Sequence, residues 1–270
     1  MFSPVDTYKS RVRAAFSRHA GTYDANAGLQ AHAADYSAEL LGTLKEKSAI
    51  PGGKILEIGC GTGLFTNKLL KLFPEHELTC CDLSSEMLSA CKLRLGQKVL
   101  ESGRISFEAL DAEELKCEAS YSLIASSFSL QWFFHPMEGI NKLLNALVPG
   151  GVMFFSVPGD ESCKQWKAAC ERLDIPFTRN PLPKLADLQG IAVRKRMEFR
   201  LYDHFVEETH PDAVSMLRAL KELGAGTQRN NIELSCLELR SLLRELDSES
   251  KPLSTSYQVI AGYFRKVHNE

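Results

Sequence analysis

The sequence contains no apolar run approaching the length of a bilayer span, which excludes a helix crossing a membrane. Residues 1–8 (MFSPVDTY) lack the basic segment followed by an apolar one that marks a secretory signal, so a cytoplasmic protein is expected. Net charge is scarce too. Thirty-two Lys and Arg face 34 Asp and Glu, a formal −2, which argues against a nucleic-acid partner or an anionic membrane surface. Eight cysteines (Cys60, Cys80, Cys81, Cys91, Cys117, Cys163, Cys170 and Cys236) include no C-x-x-C pair, so they read as reduced structural thiols with no metal site. Internal repeats and low-complexity segments are absent, and no Ser-His-Asp or paired-acid constellation stands out. What remains is an ordinary globular composition, 44% apolar and 24% charged over 270 residues, enough for one large core with an added subdomain.

Against that background residues 54–66 (KILEIGCGTGLFT) carry the most information. Ile55, Leu56 and Ile58 suit a strand covered on both faces. Gly59, Gly61 and Gly63 then permit backbone conformations that side chains forbid, and let a ligand lie against the main chain. Nineteen residues past Gly63, the short run 78–82 (LTCCD) ends in Asp82. In a doubly wound sheet an acid at the tip of the second strand reaches a ribose hydroxyl pair. The spacing Glu57-x-Gly59-x-Gly61-x-Gly63 is not the dinucleotide fingerprint G-x-G-x-x-G, which receives a pyrophosphate.

Residues 8–47 read as helical throughout, and Pro51-Gly52-Gly53 breaks the chain before the first strand. Strands are predicted near 54–58, 78–82, 105–109, 121–126 and 152–157, with helices near 63–73, 85–95 and 137–147. This alternation implies a parallel sheet with right-handed crossovers. After Pro158-Gly159 the rhythm changes. A helix near 161–173 leads into a loop punctuated by Pro176, Pro181 and Pro183, followed by a strand near 197–205. Helices near 211–222 and 234–246 flank Gly224-Ala225-Gly226, and a last strand covers 256–264. The expected division is a helical N-terminal region over 1–50, a core over 51–160, a late strand with a helical insert over 161–250, and a final core strand over 251–270.

The acid-led glycine spacing, Asp82 and the later strand ends together resemble the class I S-adenosylmethionine-dependent methyltransferases. The resemblance implies a Rossmann-like α/β fold with a seven-stranded sheet whose last strand is antiparallel. It implies S-adenosylmethionine as methyl donor and S-adenosylhomocysteine as product. In its terms Glu57, Gly59, Gly61 and Gly63 form the loop under the methionine and ribose portions, and Asp82 takes the ribose hydroxyls. Leu83 and Met87 flank the adenine, Met87 reading equally as core packing. Asp111 accepts from the adenine amino group, or else merely caps the turn that follows it; the Ala112 amide lies near a ring nitrogen. Ligands of open α/β sheets bind at the carboxyl ends of strands, which brings Ser127 and Phe128 to the methyl group. Gln131 and Trp132 follow beside them, Trp132 reading equally as core filler.

A second resemblance covers more of the chain. Residues 13–23 (RAAFSRHAGTY), Leu29-Gln30, 129–132 (SLQW), 217–225 (LRALKELGA) and 234–239 (LSCLEL) are similar to the malonyl-acyl-carrier-protein O-methyltransferases of biotin synthesis. This resemblance implies an N-terminal helical lid, malonyl-acyl-carrier protein as partner and substrate, and methylation of its free carboxylate to the methyl ester. A carboxylate at neutral pH is already an anionic nucleophile, so the site needs positioning rather than a general base. The implied substrate-lining candidates are Tyr23, Trp132, Lys221, Arg229 and Lys251. Lys251 stands where many relatives have Arg before the Pro-Leu of the final strand. A basic docking face for the acidic carrier is expected among Arg11, Arg13, Arg18 and Arg194-Lys195-Arg196. Two other readings stay open: an enzyme using the same cofactor on a quinone-type small molecule or a protein arginine, and an assembly module that binds the cofactor without an open substrate pocket.

Overall fold

A computed structural model describes residues 3–48, 50–230, 232–249 and 252–267, so Lys251 lies outside the described residues. Helix α1 (Pro4–His19) starts at a capping box between Ser3 and Asp6, with Pro4 in its first turn. The continuous helix expected over 8–47 is in fact two. Turn formers Gly21, Thr22, Asp24 and Asn26 interrupt it, leaving a short 3-10 turn at Tyr23–Ala25 before α2 (Gly28–Lys47).

The core then alternates: β1 (Lys54–Ile58), α3 (Thr66–Leu72), β2 (Leu78–Asp82), α4 (Ser85–Leu95), the short α5 (Gln97–Leu100), β3 (Ile105–Ala109), β4 (Tyr121–Ser127), α6 (Pro136–Asn145) and β5 (Leu147–Pro158). It continues with α7 (Lys164–Arg172), α8 (Leu185–Arg194), β6 (Glu198–His210), α9 (Ala213–Glu222), α10 (Cys236–Glu249) and β7 (Leu253–Arg265). Among the described residues seven strands form one sheet in the order β3-β2-β1-β4-β5-β7-β6. Strands β1 to β5 pair in parallel, and β7 runs antiparallel between β5 and β6. The register aligns Ile58 with Cys81 and Ser126, and Asp82 with Ala109. The carboxyl tips of β1, β2, β3 and β4 therefore share one edge, beside the point where strand order reverses between β1 and β4.

Strand alternation sends β1 side chains to two cores. Ile55 packs with Leu41, Leu69 and Leu88 of α2, α3 and α4, whereas Leu56 and Ile58 pack with Ile140 and Leu143 of α6 and Ile191 of α8. Helix α8 was not expected. Its Leu185, Leu188, Ile191 and Ala192 recur at helical spacing behind Pro183, and they seal the second core. Strand β5 begins at Leu147 rather than 152, because Gly150 (φ +74°) lets the chain bend within the strand while Leu147 pairs with Tyr121. Strands β6 and β7 are longer than expected and pair from Glu198–Arg265 to His210–Leu253. Among the described residues no helix is long and apolar enough to cross a membrane.

Gly262 of β7 sits directly under β6: a Cβ there would lie 2.1 Å from the Arg200 carbonyl oxygen. Gly262→Ala should destabilise the fold by about 1–3 kcal/mol, the usual effect of overpacking, read as a lower midpoint in denaturant unfolding at unchanged slope.

Candidate active site

The turn after β1 is built by contacts that exclude side chains. Gly59 has φ +65°, and a Cβ on it would fall 2.0 Å from Ser129 Oγ. Gly61 has φ +54° with nothing within 4 Å of its Cβ position, so its open side faces free space. Its amide donates to Asp82 Oδ2 at 3.0 Å, and the Ser84 amide donates to Asp82 Oδ1 at 2.9 Å. Burial pushes the Asp82 carboxyl up from its ordinary value, while the amides of Ser84, Gly61 and Leu83 pull it back. Glu57, on the buried side of β1, is pushed up from 4.5 to about 7 by burial, against hydrogen bonds from Thr66 and Cys80.

These groups line a cleft at the strand tips. Glu57, Gly59, Gly61, Asp82, Leu83, Met87, Asp111, Ala112 and Ser127 all stand on its wall, as do Tyr23 and Trp132. Gly63 does not. Its φ is +89° and a Cβ would meet Cys91 Sγ at 2.9 Å, so its bare backbone serves the packing of the turn against α4. Met87 combines both expectations, being 1% exposed and lining the cleft. Asp111 does cap its turn, accepting from the Glu113 amide at 3.0 Å, and still borders the cleft. Ser84 caps α4, accepting from the Met87 amide at 3.1 Å.

Helices α1 and α2 close the cleft from above, and their polar anchors land on its loops. Lys9 pairs with Asp111 at 3.0 Å and with Glu113. Ser17 donates to Glu86 at 2.6 Å and lies 2.9 Å from the Ser84 hydroxyl. Asp24 accepts from Thr62 at 2.7 Å and pairs with Arg94. Aromatic rings finish the closure: Phe16 meets Trp132 edge-on with centroids 5.3 Å apart, and Tyr23 lies 6.3 Å from Phe16. Burial, with Asp82 and Asp24 nearby, raises the Tyr23 hydroxyl and keeps it protonated as a donor. Phe128 adopts φ +51°, a left-handed conformation strained for a bulky residue; the Ser156 carbonyl holds its amide at 2.9 Å.

Behind this aromatic wall lies a second, larger chamber. It shares Phe16, Tyr23, Gln30, Phe128 and Trp132 with the cleft. Lys221 lines the chamber, as expected of it. Arg229 lines neither cavity. Its guanidinium donates to the Gln131 carbonyl at 2.7 Å and its amide to Asn180 Oδ1 at 2.7 Å, so it braces the loop after β4. Three polar groups on the chamber wall were missed: Arg179, Glu208 and Tyr257. Arg179 stands in a proline-rich loop without periodicity, and the sequence holds no signal for where it turns. Among the described residues no group of three His, Cys, Asp or Glu side chains is placed to hold a metal ion.

Comparison with known proteins agrees with this geometry. A methyltransferase-domain family model matches residues 56–153. A malonyl-[acyl-carrier protein] O-methyltransferase of Magnetococcus marinus is 29% identical over 263 residues, covering 96% of this chain and 94% of that one. Its namesake in Priestia megaterium is 31% identical over 252 residues, covering 88% of each. Among solved structures, the YcgJ protein of Bacillus subtilis superimposes with a TM-score of 0.61 at 14% identity, over 87% of this chain and all of that one, and so shares the fold. Identity and coverage together make this chain a member of the malonyl-[acyl-carrier protein] O-methyltransferase family.

Proposed function

We propose that this enzyme transfers the methyl group of S-adenosylmethionine to the free carboxylate of a malonyl group carried on acyl-carrier protein, leaving the malonyl methyl ester that starts pimeloyl and biotin synthesis. The observation that carries the reading is the shared aromatic wall between two cavities, one suited to a nucleoside and one large enough for an acyl group. That second chamber also favours an enzyme over an assembly module without a substrate pocket.

The donor set fits the cofactor. Gly61 leaves open backbone for it, Asp82 offers a carboxylate to vicinal hydroxyls, and the buried Glu57 suits an ammonium group. Leu83 and Met87 would flank the adenine, with Asp111 and the Ala112 amide at its polar edge and Ser127 and Gly59 toward the methyl end. When bound, the cofactor supplies a methyl group activated by a sulfonium cation. The chain then has three tasks. The rings of Phe16, Tyr23, Phe128 and Trp132 exclude water, and an aromatic face beside a cation contributes about 0.5–2 kcal/mol. The lid anchors hold the wall closed, and alignment of two reactants in such a site is worth about 7–11 kcal/mol. No side chain has to remove a proton, because the substrate carboxylate arrives ionised.

The acyl group has a route in. An outer hollow shares Trp166, Thr178, Leu217, Gly226, Thr227 and Gln228 with the chamber. Arg11 stands at this hollow, donating to the Gln228 carbonyl at 2.9 Å. Of the basic residues considered for carrier docking, it is the one beside the entrance, and it supports approach of an acidic carrier from that side.

Purified protein with labelled S-adenosylmethionine should methylate malonyl-carrier protein and leave acetyl-carrier protein unlabelled; absence of transfer with cofactor binding intact would reject the substrate. Asp82→Ala should weaken S-adenosylhomocysteine binding at least about tenfold in calorimetry without unfolding the protein, and an unchanged affinity rejects the ribose assignment. Glu57 gives a pH test. Between 4.5 and about 7 the folded protein holds a proton that the unfolded chain has released, so this group's contribution to apo stability declines as pH rises through that window. Pairing with the cofactor's amino group needs the carboxylate, so cofactor affinity should rise through the same window. Melting temperatures and calorimetry from pH 5 to 8, compared with Glu57→Gln, should show both trends in the native protein and their loss in the variant.

A further inference from the structure

The acyl chamber contains one cation that is held rigidly and makes no direct ion pair, the Asp160 carboxylate acting on it only from beyond contact distance. Arg179 enters it from the loop between α7 and α8, its guanidinium 5.1 Å from the Phe177 ring. Nη1 donates to the Ser162 carbonyl at 2.8 Å and Nη2 to the Asp160 carbonyl at 3.0 Å. Both carbonyls belong to the segment that follows β5, so the guanidinium plane is fixed against the core. Its Nε–H is buried and has no hydrogen-bond partner. Among the described residues no carboxylate lies within ion-pair distance of it. Burial lowers its pKa from the ordinary arginine value, yet a guanidinium does not give up its proton in a protein. A guanidinium that lines a cavity wall with a buried N–H left over and no carboxylate in contact is prepared for an anion.

The rest of the chamber points the same way. Glu208 is the acid on its wall; it faces the Leu29 amide and His210, 4.0 Å away, rather than Arg179. Lys221 is the other cation, but it is solvent-exposed and therefore hydrated. The Tyr257 hydroxyl, kept protonated by burial, flanks Cys163, the residue that also neighbours Arg179. A fixed guanidinium and a neutral hydroxyl donor thus border one part of the wall.

Resting on the methyl-transfer reading above, we propose that Arg179 anchors the free carboxylate of the malonyl group, and so selects malonyl over acetyl. One carboxylate oxygen stays with the Arg179 Nε–H. The other forms the bond to the methyl carbon as the carbon–sulfur bond breaks and its electron pair remains on sulfur. No proton moves, and Arg179 keeps all of its own. The product ester is neutral, so the charge that held the substrate is gone and the product is released.

Arg179→Gln and Arg179→Lys test this, because Gln removes the cation and Lys restores charge without the fork. In the presence of S-adenosylhomocysteine, native protein should bind malonyl-carrier protein at least about tenfold more tightly than acetyl-carrier protein. Arg179→Gln should bind both alike, with S-adenosylhomocysteine affinity unchanged, and Arg179→Lys should recover part of the discrimination. A second measurement needs no variant: native protein should bind the malonyl methyl ester on its carrier at least about tenfold less tightly than the free malonyl form. Full discrimination retained by a folded, cofactor-binding Arg179→Gln overturns the anchor while leaving methyl transfer to malonyl-carrier protein standing. Equal binding of ester and acid by the native protein also overturns it. Absence of malonyl methylation by the native enzyme removes the underlying reading and the anchor together.

Discussion

One buried carboxylate organises the cofactor side of this molecule. Asp82 ends β2, and its two oxygens are claimed by the amides of Gly61 and Ser84. Those amides belong to the turn after β1 and to the cap of α4, so a single side chain ties three segments together, alongside the Cys60 amide on the Cys81 carbonyl and Arg94 on the Thr62 carbonyl. Burial pushes its carboxyl up, and the amides of Ser84, Gly61 and Leu83 pull it back. Gly59 can close onto Ser129 only because it lacks a side chain, and that closeness fixes the turn from its other flank.

The lid acts through the same segments. Lys9 reaches the turn after β3, Ser17 the cap of α4, and Asp24 the glycine turn and α4. None of these anchors is spent on the outer faces of the sheet. Lys9 is nearly buried, and two acids share it; removing one partner from such a cluster typically costs about 3–5 kcal/mol. The same contacts bring Phe16 of α1 and Tyr23 of the turn that follows it to the junction of the two cavities.

Much of this is legible in the sequence where local chemistry decides. β1, β2 and β3 are apolar runs bounded by glycine, proline or acids, and their limits follow directly. Ser84 announces α4 because a serine before an amphipathic run satisfies the first free amides. Legibility ends where tertiary contacts decide. Helix α8 hides behind Pro183, and only its packing on Ile140 and Phe155 makes it a helix worth forming. Gly63 shares its residue type and spacing with Gly59 and Gly61, yet only the approach of Cys91 reveals that it serves packing rather than the cleft. Arg229 and Arg179 are equal as sequence, both loop arginines. Both end on backbone carbonyls, but Arg179 lines the chamber and Arg229 does not, a difference set by the fold around them.

The distribution of charge around the two cavities follows from the reaction. Methyl transfer from a sulfonium to a carboxylate joins a cation and an anion and leaves two neutral products, so charge shrinks along the path. A site that stabilised the sulfonium strongly at the reacting atoms would deepen the ground state and slow the step. The acids that could do so, Asp82 and Glu57, stand on the wall of the cleft at the tips of β1 and β2 and not on that of the chamber. The junction itself is walled by Phe16, Tyr23, Phe128 and Trp132, which favour a diffuse cation weakly and a dry neutral product fully. The strain stored at Phe128 makes physical sense in these terms: it holds an aromatic ring, rather than a backbone amide or a water, at the place where charge must disappear.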